Sequence, residues 1–262
     1  MTDQASPHPH LALSRDGAVL TVSLDNATRR NAQTPSLWSA LAQVANGLDP
    51  AVRVVVLRGE GPSFSAGLDR GMLVPGGVPG ELDMVAMAAD SAEAAAEVIE
   101  DFQMGFSAWA QVPAVVVAAV QGHAIGAGFQ LALAADLRVV AEDVQFAMRE
   151  TSLGLVPDLA GTTPLVSLVG VARALEICAT GRFVGAAEAV AIGLANVAVP
   201  AAALEATTAD LVAALLAAPE AALRELKPLL HSAASADRET QLRLEREAQG
   251  RLLHGLAGRL TR

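Results

Sequence analysis

The sequence predicts an α/β core followed by a helical appendage, and three observations carry that prediction. Short β-branched runs at 52–58, 114–120 and 137–141 alternate with stretches of helical pattern. Gly- and Pro-rich clusters separate them, as at 59–62 and 71–80. From 201 to 255 the chain reads as almost unbroken Ala- and Leu-rich helix. The expected division is a core over 11–200 and a C-terminal helical region over 201–262.

The elements follow in order. Residues 11–13 and 18–24 alternate as strands around a turn at Asp16–Gly17. Residues 25–33 are polar and loop-like, and Pro35 opens a helix reaching about Asn46. The strand at 52–58 runs into a Gly- and Ser-containing loop at 63–71. Residues 81–110 read as helix with a break at Asp90–Ser91. Pro113 precedes a buried strand, 122–128 reads as a turn, and a helix begins at Phe129. A strand at 137–141 leads into a loop through Pro157. One helix is expected over 164–180, ending at Gly181, then a short helix at 186–192 and a short strand at 195–199 before Pro200.

Composition narrows the function. The chain has 262 residues, enough for one full core, and a mean hydropathy of +0.40 argues against extended disorder. The aliphatic run 112–120 falls well short of the roughly 20 residues a membrane-crossing helix needs. The opening MTDQASPHPH has neither a basic nor an apolar targeting region and reads as a disordered lead-in carrying His8 and His10, so a cytoplasmic location is the expectation. A net charge of −10 does not suit nucleic-acid binding, where phosphate neutralisation supplies much of the affinity. The single cysteine, Cys178, lies in an apolar helical stretch and reads as packing. No Cys/His set has zinc-ligand spacing, and His123, with no nucleophile beside it, reads as structural.

Three segments can carry chemistry. Phe64-Ser65-Ala66-Gly67-Leu68-Asp69 follows a strand, and Gly122 to Gln130 runs from a strand into a helix. Small residues let a ligand approach the backbone, and a helix start offers free N–H groups. Together the two could present a pair of donors to a carbonyl oxygen; each alone is also an ordinary tight turn. The third segment, 145–161, places Glu150 and Asp158 in or beside a Gly/Pro loop, where two solvated acids are the plain alternative. Met84, Met87, Phe102, Met104, Phe106 and Trp109 lie at helical spacing over 81–110 and read as core.

Five segments in chain order resemble the enoyl-CoA hydratase/isomerase (crotonase) superfamily: 26–32 (NATRRNA), 64–69 (FSAGLD), 112–138, 145–162 and 180–200. The resemblance implies a crotonase-like spiral of β-β-α units whose C-terminal helices assemble trimers or dimers of trimers. It implies an acyl-CoA thioester substrate, coenzyme A being part of that substrate and no separate cofactor or metal being used. The thioester oxygen would lie between the N–H groups of Leu68 and Ala127. Arg29, Arg30, Ala32, Ala66, Gly67, Asp69 and Gly126 would line the substrate and CoA site. Hydratases of this family use two glutamates. Glu150 aligns with the second, but Gln130 stands at the first, and Gln cannot take a proton at neutral pH. Asp158 matches an acidic position of the dienoyl-CoA isomerase branch. The reading is therefore an enoyl- or dienoyl-CoA isomerase with Glu150 as base and acid, Asp158 its partner and Gln130 a pocket hydrogen-bonder. A hydratase using Glu150 alone and a non-catalytic acyl-CoA binder are the alternatives. The tail, His254 to Arg262, lacks the acidic-Gly and aromatic-basic ending of many relatives.

Overall fold

In the computed structural model, which describes residues 2–260, the β-branched runs gather into one sheet. In chain order the elements are β1 (Thr2–Gln4), β2 (Leu11–Asp16), β3 (Val19–Leu24), α1 (Pro35–Asn46), β4 (Val54–Gly59), α2 (Met84–Ala88) and α3 (Ala92–Gln111). Then come β5 (Val115–Val120), β6 (His123–Ile125), α4 (Ala127–Ala134), β7 (Leu137–Ala141), β8 (Gln145–Ala147), α5 (Thr162–Val169) and α6 (Val171–Thr180). The chain closes with β9 (Val184–Gly185), α7 (Ala186–Ala191), β10 (Val197–Val199), α8 (Leu204–Ala217), α9 (Glu220–Ala233) and α10 (Arg238–Leu260). The main sheet runs β1-β2-β3-β4-β5-β7-β10, antiparallel from β1 to β3 and parallel beyond. A small second sheet, β6-β8-β9, lies beside it.

The parallel strands are apolar on both sides because both faces are covered. Val55, Leu57, Val116, Ala118 and Val120 join the large core with α1, α3 and α4. Their alternates Val54, Val56, Val115, Val117 and Ala119 face a second core that includes Leu204 and Val212 of α8. The region beginning at 201 is thus not wholly an appendage, since α8 closes the far face of the sheet. On the near side Trp38 of α1 meets Phe102 and Phe106 of α3 edge-on, with centroids 5.1 and 5.8 Å apart. Gly105 permits that approach, because a Cβ there would lie 2.6 Å from the Trp38 carbonyl oxygen.

α9 is locked to the sheet by a buried charge. Lys227 donates to the carbonyls of Trp109 (3.1 Å) and Ala114 (2.9 Å) and pairs with Asp136 at 2.9 Å. These use all three ammonium protons. Asp136 also accepts from the Val116 N–H and bonds His231.

Several expectations are corrected. The lead-in is not disordered over its described part: β1 pairs with β2, and His8 Nε2 lies 3.1 Å from the Ser36 hydroxyl. Met1 and the tail residues Thr261 and Arg262 fall outside the described residues. The turn expected at 122–128 contains β6, and the loop expected through Pro157 contains β8 and a 3-10 turn, Glu150–Leu153. The single helix expected over 164–180 is two, divided at Gly170, whose φ of 76° is left-handed. The break at Asp90–Ser91 is present because Ser91 caps α3, accepting the Ala94 N–H.

Candidate active site

The loop after β4 is drawn against the segment after β5 by backbone pairing. Phe64 and Ser65 donate to the carbonyls of Gln121 and His123, and Ile125 donates to Ser65. Close approach here requires glycine. A Cβ on Gly67 (φ 85°) would sit 2.3 Å from the Ile125 carbonyl oxygen and 3.4 Å from the Ala127 nitrogen, and one on Gly128 would sit 2.5 Å from the Ser65 carbonyl oxygen.

This pairing leaves two backbone donors free. The Gly67 carbonyl accepts from the Gln33 N–H at 2.8 Å. In a trans peptide the N–H points opposite to its carbonyl, so the Leu68 N–H is aimed away from Gln33 and takes no acceptor among the described residues. Ala127 is the first residue of α4, and its N–H has no partner within the helix.

Glu150 reaches the same place from the turn after β8. Arg149 anchors that turn by donating to the Gly181 carbonyl, and Thr151 by donating to the Cys178 carbonyl. The Glu150 carboxylate lies over Gly126, where a Cβ would come 3.3 Å from its Oε1. Gln130, buried on α4, fixes the carboxylate. Its Oε1 accepts the N–H groups of Leu159 (2.9 Å) and Gly161 (3.3 Å), which turns its Nε2 to donate to Glu150 Oε1 at 2.8 Å. The two accepted N–H groups flank Ala160, held left-handed at φ 62°. Glu150 Oε2 is buried and has no hydrogen-bond partner among the described residues. Burial, reinforced by the charge of Asp158, pushes the Glu150 carboxyl above its ordinary value. Burial also raises Asp158, whose carbonyl accepts from Gln103 of α3 at 2.7 Å.

The remaining site residues divide. Gly126 lies against Glu150, which Gln130 holds, and Gly67 lies against Ile125 and Ala127. Leu68 follows Gly67, and Ala66 donates its N–H to the Arg30 carbonyl at 2.8 Å. Asp69 is 5% exposed and already occupied, capping Gly71 and pairing with Arg29 at 3.0 Å. Arg29 nonetheless keeps most of its side chain in solvent. Arg30 is exposed in a left-handed conformation, and Ala32 is half-buried beside it. His123 lies 3.2 Å from the Ser63 hydroxyl. Cys178 packs against the core, and burial with the Glu150 charge raises its thiol. The sequence reading gave no role to Asn31, Gln33 or Ser65, although 26–32 and 64–69 were among its segments. Their signal was polar residues in runs that fold into the interior. Asn31 Nδ2 ties the carbonyls of Glu60, Ser63 and Phe64, which holds the loop after β4 in place.

A family model described as enoyl-CoA hydratase/isomerase matches residues 14–257. The chain belongs to the enoyl-CoA hydratase/isomerase family. A Thermobifida fusca structure in complex with acetoacetyl-CoA, provisionally named an enoyl-CoA hydratase, is 47% identical with a TM-score of 0.90, covering 94% of this chain and 95% of that one. A provisionally named Rhodobacter capsulatus enoyl-CoA hydratase is 32% identical over 88% of this chain and 84% of its own. An Escherichia coli carnitinyl-CoA dehydratase is 32% identical over 84% and 79%. Crotonase architecture is therefore the fold of this chain, and hydratase names dominate among its relatives in the enoyl-CoA hydratase/isomerase family.

Proposed function

We propose that this chain isomerises the double bond of an enoyl- or dienoyl-CoA thioester, with Glu150 moving the proton. The observation that carries the reading is the fixed amide of Gln130. A family hydratase holds its water between two carboxylates; here the first position donates a hydrogen bond to Glu150 Oε1 and cannot act as a base. What remains is one carboxylate with a bare, buried Oε2. Isomerisation needs no more. Glu150 Oε2 removes a proton from carbon 2 of a 3-enoyl thioester. The oxygen of the resulting dienolate rests between the Leu68 and Ala127 N–H groups, and the protonated Oε2 returns the proton at carbon 4. In a 3,5-dienoyl thioester the return point is carbon 6, and Asp158, close enough to raise Glu150, serves there by taking the proton from protonated Glu150 and delivering it to carbon 6, which leaves both carboxylates ionised for the next turnover. The acetoacetyl-CoA bound by the Thermobifida fusca relative supports a CoA thioester as ligand. Arg30, and Arg29 steadied by Asp69, are the cations proposed to meet the CoA phosphates.

Hydration of a 2-enoyl thioester by Glu150 alone is the second reading, favoured by the hydratase and dehydratase names of the relatives. Purified protein assayed against 2-enoyl-, 3-enoyl- and 3,5-dienoyl-CoA tests both. Isomerisation of a 3-enoyl or dienoyl substrate faster than hydration of the 2-enoyl one supports the proposal. Hydration as fast or faster overturns it.

A further inference from the structure

We infer that Ser65, held by Gln33, is a positioning residue that sets the relation between the two backbone donors of the site. The inference rests on reading Leu68 and Ala127 as the thioester-oxygen donors.

Ser65 is the residue through which both donor segments are tied. It is completely buried, as is Gln33. Its hydroxyl donates to the Asn31 carbonyl at 2.7 Å and accepts from the Gly67 N–H at 3.1 Å and Gln33 Nε2 at 2.9 Å. One donor and two lone pairs are thereby filled, which leaves the hydroxyl no capacity to act as a nucleophile. The Ser65 backbone holds the other segment: its N–H donates to His123, and its carbonyl accepts from Ile125 at 3.0 Å and abuts Gly128. One residue therefore touches Gly67, just before Leu68, and the turn just before Ala127.

Gln33 fixes the first of these from the opposite side. Its N–H donates to the Gly67 carbonyl and its carbonyl accepts from Asp69, both at 2.8 Å, so Leu68 is bracketed. Its side chain cannot turn over, because Trp38 Nε1 donates to Oε1 at 2.8 Å and leaves Nε2 for Ser65. Every polar atom in this set is matched, as a buried network must be to rigidify its surroundings. Among the described residues none of the set hydrogen-bonds Glu150, whose carboxylate is held by Gln130. Ser65 and Gln33 act on the reaction only by aiming the Leu68 N–H relative to that of Ala127, and donors of this kind work because they are fixed before charge develops.

The test compares wild type, Ser65→Ala and Gln33→Met, using the CoA thioester of a 4-aminocinnamic acid. Its absorption moves to longer wavelength when its carbonyl oxygen gains hydrogen-bond donors. Wild type should bind this probe with a red shift. Ser65→Ala should bind it with near wild-type affinity but a clearly smaller shift, and kcat on the fastest enoyl substrate should fall about tenfold to a hundredfold with KM little changed, the scale of a misplaced reacting group. Gln33→Met keeps the serine and should move both readouts in the same direction. Glu150→Gln should keep the full shift while losing turnover, which separates donor geometry from proton transfer. A folded Ser65→Ala or Gln33→Met with wild-type shift and kcat overturns the inference. A wild-type protein that leaves the bound probe unshifted overturns instead the reading of the site on which it rests.

Discussion

Glu150 is held by one oxygen and bare at the other, and its protonation should govern the rate. Its carboxyl is raised above the ordinary 4.5, first by burial and further by Asp158. The acid limb of a kcat/KM profile should therefore lie above that value, because the base must be ionised in the free enzyme. Asp158→Asn removes a like charge and should draw the limb to lower pH. It should also slow dienoyl turnover more than 3-enoyl turnover. The same shift sets a sign for stability. A carboxyl whose folded pKa is raised opposes folding once ionised, so the penalty grows as pH rises from the unfolded value through the folded one and is complete above it. Glu150→Gln should accordingly melt no lower than wild type at neutral pH while losing about 100-fold or more in turnover. A melting-temperature comparison with steady-state kinetics checks both. Glu150 and Asp158 were legible in the sequence as acids beside Gly and Pro. The orientation of the Gln130 amide was not, because it depends on the Leu159 and Gly161 N–H groups, which the fold delivers from 29 and 31 residues away.

Strands and helices place these residues through close backbone contact. Gly128, the second residue of α4, lies against Ser65, and Gly128→Ala would put a methyl 2.5 Å from a carbonyl oxygen. The donors must then separate, so kcat should fall even where a thermal melt shows the fold surviving. Elsewhere the buried Lys227 joins α9 to the strand ends at Ala114 and Asp136. Lys227→Met would leave Asp136 without its ammonium partner, and removing one side of a buried pair costs about 3 kcal/mol or more. Chemical denaturation measures that loss. Regular elements with strong patterns, such as β5 and α1, could be read directly from sequence. β6, β8 and β9 could not, because these two- or three-residue stretches lie in turn and loop sequence and become strands through pairing, with one another and, for β6, with Ser65. The division of α5 from α6 was equally hidden. A lone glycine inside a helical pattern is tolerated at a modest cost, so nothing in the pattern marked the left-handed φ of 76° at Gly170.

At the scale of the molecule, α8 seals the far face of the sheet, while α9 and α10 flank an open groove of about 630 Å³ lined by Ala221, Leu252, Leu253 and Leu256 together with Glu220, Arg224 and Gln249. Exposed apolar residues also recur from Leu153 to Phe183. Surfaces of this kind mark interfaces, and trimers or hexamers joined through residues 201–255 are expected. Light scattering at micromolar concentration checks this, and a monomer would contradict it. The α/β class was legible because doubly covered parallel strands are apolar throughout. The role of α8 was not, because an Ala- and Leu-rich helix has the same pattern whether it packs on its own sheet or on a neighbour. In the proposed reaction Gln130 leaves Glu150 to act as a lone base. The most direct test is the ratio of 2-enoyl-CoA hydration to 3-enoyl-CoA isomerisation, measured in wild type and in Gln130→Glu on thioesters of one chain length. The expected result is a ratio below one in wild type that rises in the variant. A wild-type ratio at or above one, unchanged by the substitution, would contradict it.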